Sequence, residues 1–195
     1  MKIRVLSSIA AVFLLSACTD MPPLNFSVPN VGVSETKIPA EVKAINVSVA
    51  RPDEKAGELE TGVETIAPYW QTALQDALGR MAIFKDDAPT KINISVKILK
   101  LDMPSFGAAM DTDTIARYEI IDRSTGSIVY TQDISSNGHV PGDYAFVGAV
   151  RARESVNRSV QNNILQFLQA LETVDIKKPM FPVKDTGKSS ATPTS

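Results

Sequence analysis

The chain has 195 residues, 44% of them hydrophobic and 22% charged, and this composition excludes wholesale disorder. Lys and Arg number 20 against 22 Asp and Glu, a formal net charge of −2, which is not the balance of a nucleic-acid binder. A single Cys and a single His exclude an intramolecular disulfide framework, a multi-Cys metal site and a multi-His zinc cage.

The N-terminus carries an address. Lys2 and Arg4 precede a largely apolar run from Val5 to Leu15, and Leu15-Ser16-Ala17-Cys18 closes it. A basic start, a short apolar stretch and small residues at a cleavage point describe a secretory signal. The run is shorter than the roughly 20 apolar residues of a spanning helix. The ending Leu15-Ser16-Ala17-Cys18 resembles the lipobox of bacterial lipoproteins; the alternative is an ordinary secretory signal that happens to end on a Cys. The resemblance implies cleavage between Ala17 and Cys18. It also implies a diacylglycerol on the Cys18 thiol and an acyl chain, palmitate among the candidates, on the new amine. No other cofactor is expected. Several chains hold a protein stably, at about 0.8 kcal/mol per buried CH₂. In enterobacterial lipoproteins an Asp directly after the Cys resembles an inner-membrane retention signal. Here Thr19 takes that place and Asp20 follows, so the expected location is the outer membrane, facing the periplasm.

Residues 1–17 therefore read as a removed signal peptide and 18–43 as the lipidated Cys with a Pro-rich tether. Pro22, Pro23, Pro29 and Pro39 break any helix. A flexible tether of that size spans roughly 25–30 Å. The apolar residues Leu24, Phe26, Val28, Val31 and Val33 are unusual in a pure spacer. They either pack back on the domain or add as an edge strand to a partner.

A single domain is expected over 44–176. Ile45, Val47 and Val49 alternate as a strand does. Residues 51–60 read as a charged loop. Thr61 and Glu64 fit a capping box, with a helix to about Ala82 whose stripe is Ile66, Trp70, Ala73, Leu74, Ala77, Leu78 and Met81. Three strands follow, over 91–101, 114–121 and 127–135. Asp122–Gly126 is a turn, and Asn137-Gly138 with Pro141-Gly142 reads as a loop. Asp143 is the expected N-cap of a last helix ending near Thr173, with stripe residues Ala149, Ala152, Val156, Val160, Ile164, Phe167, Leu168 and Leu171. The basic segment 177–195 reads as a disordered tail. The fold class is α+β: a two-layer α/β sandwich in the order β-α-β-β-β-α, with a four-stranded, mostly antiparallel sheet and two helices on one face.

Chemistry is sparse. The chain has no Gly-x-Ser-x-Gly, no Walker loop and no Gly-x-Gly-x-x-Gly. His139, between two glycines, reads as an exposed loop residue. Asp86-Asp87 and the Asp111/Asp113 pair lack the pattern of a calcium loop. Two contact candidates remain. Met103, Phe106 and Met110 lie in a loop that either forms an adaptable binding surface or folds onto the core. Arg151, Arg153 and Arg158 crowd the start of the last helix, where they meet an anionic lipid or an acidic partner, or pair with Glu154 on a solvated face. The order and anchor resemble small envelope lipoproteins with a two-layer α/β domain, among them lipopolysaccharide-assembly and lipid-transport accessory lipoproteins. That resemblance implies a non-catalytic accessory subunit whose partners are the membrane and an envelope protein complex, not a nucleic acid. The alternatives are an envelope hydrolase or acyltransferase, and a lipid carrier with a cavity between sheet and helices.

Overall fold

A computed structural model describes residues 21–103 and 107–174. Strand β1 (Ala40–Val49) leads through a short 3₁₀ turn, Val63–Thr65, into helix α1 (Ala67–Met81). Strands β2 (Thr90–Asp102), β3 (Met110–Asp122) and β4 (Ile128–Val140) follow, and helix α2 (Gly148–Glu172) closes the domain. The four strands form one sheet in the order β1-β2-β3-β4. β1 and β2 run parallel, joined by the crossover that contains α1, and the other two pairs are antiparallel. α1 lies against β1 and α2 against β3 and β4. The expected α+β class, element order and strand pairing are what the chain adopts.

Alternation explains the sheet's inner face. Ile92, Ile94, Val96 and Ile98 on β2 are buried, as are Ala116, Tyr118 and Ile120 on β3. All seven stripe residues of the first helical pattern are buried as well. Trp70, Tyr118 and Phe167 fill the centre, with the Tyr118 and Phe167 rings stacked at 4.1 Å. The space between helices and sheet is thus occupied by large side chains rather than by a lipid-sized void. On β2 the register shifts between Ile98 and Lys100, so Leu99 is the extra residue of a bulge, and it is buried. The loop after β1 bonds to this stretch: Ala56 N donates to Leu99 O at 3.1 Å.

The boundaries differ from the sequence pattern in four places. The capping box does not form: Gly62 precedes the 3₁₀ turn without a side-chain cap, and α1 starts later, with Pro68 in its first turn. Asp143 caps nothing, because α2 begins at Gly148 after an extended Val147. β4 runs straight through Asn137-Gly138 to Val140, so His139 is a strand residue. The cross-strand bond from Asn137 Nδ2 to Asp113 Oδ1 (2.9 Å) explains this Asn, and helix packing explains the Gly. A Cβ on Gly138 would lie 2.1 Å from Ser155 O and 2.4 Å from Ser159 N of α2.

The fourth difference is the tether. Phe26 and Val28 are 2% and 1% exposed, and both belong to the core. Asn25 N donates to Asn157 Oδ1 (3.0 Å), Gln161 Nε2 to Asn25 O (2.8 Å) and Arg80 Nη2 to Val28 O (2.8 Å). Ser34 N donates to Met81 O, and β1 begins at Ala40 rather than 44. The prolines suit this segment because it runs extended along the domain and needs few backbone donors.

Candidate functional site

The loop from β2 to β3 and the loop from β4 to α2 meet at the first turns of α2. Gly142 allows the close approach, since a Cβ there would sit 2.9 Å from Ala108 O. Arg151 fastens them. Its Nη1 donates to the carbonyls of Ala145 (2.6 Å) and Phe146 (3.1 Å), and its Nη2 to that of Gly107 (3.0 Å). The side chain comes from α2 and reaches back over the helix N-terminus, as helical side chains do. One fork thus satisfies carbonyls from both loops.

What the braced loop presents is apolar. Phe146 is 101% exposed, and Tyr144 and Val147 beside it are 48% and 37% exposed. Arg158 braces Tyr144 by lying 5.2 Å above its ring, while its Nε donates to Glu154 Oε1 (2.8 Å) and its Nη1 to His139 O (2.9 Å). Burying a Phe side chain on a partner is worth about 1.5–3 kcal/mol. Next to this loop a cleft of about 330 Å³ is lined by Met21, Leu24, Met103, Ala149, Ala152 and Arg153, among others.

The predicted contact residues therefore converge, but not all in the predicted role. Met103 and Arg153 are half-buried and line the cleft. Met110 is 4% exposed and fills the core beneath Gly148, so it is not a surface residue. Arg151 is 9% exposed, and its donors go to carbonyls of the two loops. Arg158 is half-buried, and its donors go to Glu154 and His139. Phe106, Ala17 and Cys18 lie outside the described residues. Tyr144, Phe146 and Val147 escaped the sequence reading. Their run after Pro141-Gly142 merges with the apolar pattern of α2, and only the late helix start separates them.

Most of the remaining polar groups have structural partners; among the described residues Trp70 Nε1, Asn93 Oδ1 and Arg151 Nε are buried without one. On α2, Ser155, Ser159 and Asn163 face the inner side of the sheet at four-residue spacing. Ser155 Oγ and Thr112 Oγ1 are 2.7 Å apart, and Ser159 Oγ donates to Thr114 Oγ1 at 2.7 Å. Asn163 accepts from Tyr118 OH (2.9 Å) and donates to Ile134 O and Ser136 Oγ. Burial pushes the Tyr118 hydroxyl's pKa up, with the Trp70 indole pulling the other way. His139 pairs with Asp111 (2.8 Å) on the solvent face of β4, opposite to these buried hydroxyls, so strand alternation keeps the imidazole from every serine of the seam. The shifted carboxylates are all held ionised. Lys43 and then Lys91 lower Glu41, Lys97 lowers Glu54, Arg117 lowers Asp133 and Ser124 lowers Asp122. A general acid needs the opposite shift.

A second cleft, about 540 Å³, runs between β1 and α1 past Glu41, Lys43 and Gln75. The register shift between Val42 and Ala44 puts a bulge at Lys43 on that sheet edge, a device that discourages strand addition. Among the described residues no group of three potential metal ligands occurs, and no helix is long and apolar enough to cross a membrane.

No protein-family profile and no curated protein matches the chain. Solved structures do. The chain is similar to a Xanthomonas campestris protein of the DUF330 family, with 11% identity, 75% of this chain and 90% of that one covered, and a TM-score of 0.49. It is similar to the PelC dodecamer subunit of Paraburkholderia phytofirmans, with 16% identity, 76% and 95% covered, and a TM-score of 0.41. It is also similar to a minor lipoprotein of Acinetobacter baumannii, with 12% identity, 70% and 92% covered, and a TM-score of 0.37. The neighbours thus include lipoproteins, and at TM-scores below 0.5 they define no family for this chain.

Proposed function

We propose that this protein is a lipid-anchored lipoprotein of the bacterial envelope, acylated on Cys18 and placed in the outer membrane facing the periplasm. Its domain acts as a non-catalytic binding or accessory subunit in envelope assembly or lipid transport. The observation that carries this reading is the Arg151-braced loop. A buried guanidinium braces the backbone beneath a fully exposed Phe146, which is the construction of a contact surface: little of the backbone is left to order on binding. The anchor supplies the remaining affinity by keeping the domain at high local concentration near its target. The enzyme alternative lacks support from the carboxylates, which are lowered by cationic and hydroxyl partners, and the carrier alternative from the filled interior.

The test is metabolic labelling with an alkyne analogue of palmitate, followed by envelope fractionation and crosslinking, for wild type and Cys18→Ser side by side. Label on wild type alone, with membrane attachment and crosslinks to an envelope complex lost in Cys18→Ser, is the expected result. Cys18→Ser protein that is processed and still sediments with membranes would overturn it.

A further inference from the structure

We propose that the bilayer itself covers the Tyr144–Val147 loop: the domain stands on the membrane that holds its lipid, this end down, with Phe146 in the headgroup region. The inference rests on the reading of Cys18 as lipid-bearing and names the occupant of the same surface. Its starting point is the packed N-terminal segment. Asn25 is fixed to α2 through Asn157 and Gln161, and Phe26 is in the core. Met21 already lines the cleft beside Ala149 and Arg153, on the first two turns of α2. Cys18 precedes Met21 by three residues, and three residues of chain reach at most about 10–11 Å. The anchor therefore enters at this end of the domain, without the long spacer that the prolines suggest. Phe146 precedes Ala149 by three residues, so the same reach bounds its distance from the cleft that holds Met21.

The chemistry of the end fits a bilayer interface. Phe146 and Val147 offer apolar surface, and Tyr144 is an amphipathic ring of the kind that settles at headgroup depth. Arg153 stands at the cleft, where anionic headgroups attract a cation. Asp143 is the one carboxylate of the 143–147 run, and Glu154 is engaged by Arg158. Arg151 braces the loop backbone before contact, so insertion has only exposed side chains left to order. The opposite end of β3 and β4, the exposed turn around Thr125, then points away from the membrane.

The test uses the lipidated mature protein in vesicles of phosphatidylethanolamine and phosphatidylglycerol with brominated acyl chains. Phe146→Trp and Thr125→Trp each add an indole at an exposed position, and the natural Trp70 is fully buried. The expected result is loss of most of the position-146 emission and none of the position-125 emission. Equal emission from both, with mass spectrometry showing acylated Cys18, overturns the orientation and leaves the anchor standing. A blue-shifted 146 indole that bromine does not quench also overturns it, because protein rather than lipid then covers the loop. Mature protein without acyl mass on Cys18 removes the anchor, and the orientation with it.

Discussion

Arg151 Nη1 donates to the carbonyl of Phe146 at 3.1 Å, so among the described residues one of the most buried cations braces the backbone of the most exposed aromatic residue. The same group also holds Ala145 and Gly107. Replacing it with Lys keeps the charge and loses the fork, since an ammonium cannot span carbonyls of two loops. Arg151→Lys is expected to destabilise by about 2–3 kcal/mol, the range for breaking a buried charge-assisted set. It also opens 107–109 and 143–147 to protease. Urea denaturation and limited proteolysis check this. A midpoint equal to wild type would show that the loops stand without their brace.

The periodic parts of this fold were legible because burial imposes periodicity. Ile92, Ile94, Val96 and Ile98 alternate, and Trp70, Leu74, Ala77, Leu78 and Met81 recur at helical spacing, so β2 and α1 could be placed from residue order alone. Three features broke the pattern. Asn137-Gly138 has turn chemistry, yet α2 needs the missing Cβ more than the chain needs a turn. Prolines in 22–39 exclude a helix and say nothing about packing, so they could not tell a spacer from an extended segment held by Asn157. Phe146 and Val147 continue an apolar run into α2, and nothing local marks where the helix starts. The candidate site was legible only as a cluster of arginines near a Met-rich loop. Which arginine braces and which is free depends on carbonyls that are distant in sequence.

Two glycines should respond with opposite signs to the same substitution. Gly138→Ala forces a Cβ into backbone atoms of Ser155 and Ser159, which cannot move without displacing α2. The expected cost is about 3 kcal/mol or more, in the upper tail of point substitutions. Gly79 lies in α1 with nothing within 4 Å of an added Cβ. Gly79→Ala is expected to stabilise by about 0.5–1 kcal/mol through helix propensity. Thermal melts of both variants check the pair, and a neutral Gly138→Ala would refute the close approach.

Asn163 is the hub of the polar seam between α2 and the sheet. Asn163→Leu leaves the Tyr118 hydroxyl without its acceptor and Ile134 O and Ser136 Oγ without their donor. The expected loss is about 2–4 kcal/mol despite the more apolar side chain, because unpaired buried groups retain their desolvation cost. A double-mutant cycle with Tyr118→Phe should recover part of it. Additive losses would mean that the two residues do not interact.

The carboxylates set an acid limit. Glu41, Glu54, Asp122 and Asp133 have folded-state pKa values below their ordinary ones, for the partners named above. A lowered folded pKa gives stability that is fully present above the unfolded value and lost as pH falls through the folded one. These groups therefore leave stability unchanged above about pH 5.5 and erode it below about pH 4. Arg117, directly opposite Asp133 in the sheet, donates to it twice, at 2.6 and 2.7 Å. Asp133→Asn is expected to lower stability at pH 7 and to shrink the further loss between pH 5 and 3. Urea midpoints at three pH values measure this, and an unchanged acid slope would assign the loss to other groups.

The packed N-terminal segment has its own test, independent of any membrane. Phe26 is 2% exposed in the core, whereas Val33, seven residues on, is 72% exposed. A spacer would tolerate Ala at both positions. A segment that completes the core would not: Phe26→Ala removes a ring from a filled site and is expected to cost about 3–5 kcal/mol. Val33→Ala should stay within about 0.5 kcal/mol. Chemical denaturation of the two variants without the lipid reads the difference directly. If Phe26→Ala matches Val33→Ala, residues 21–39 are a tether after all, and the reach from Cys18 to the domain lengthens accordingly.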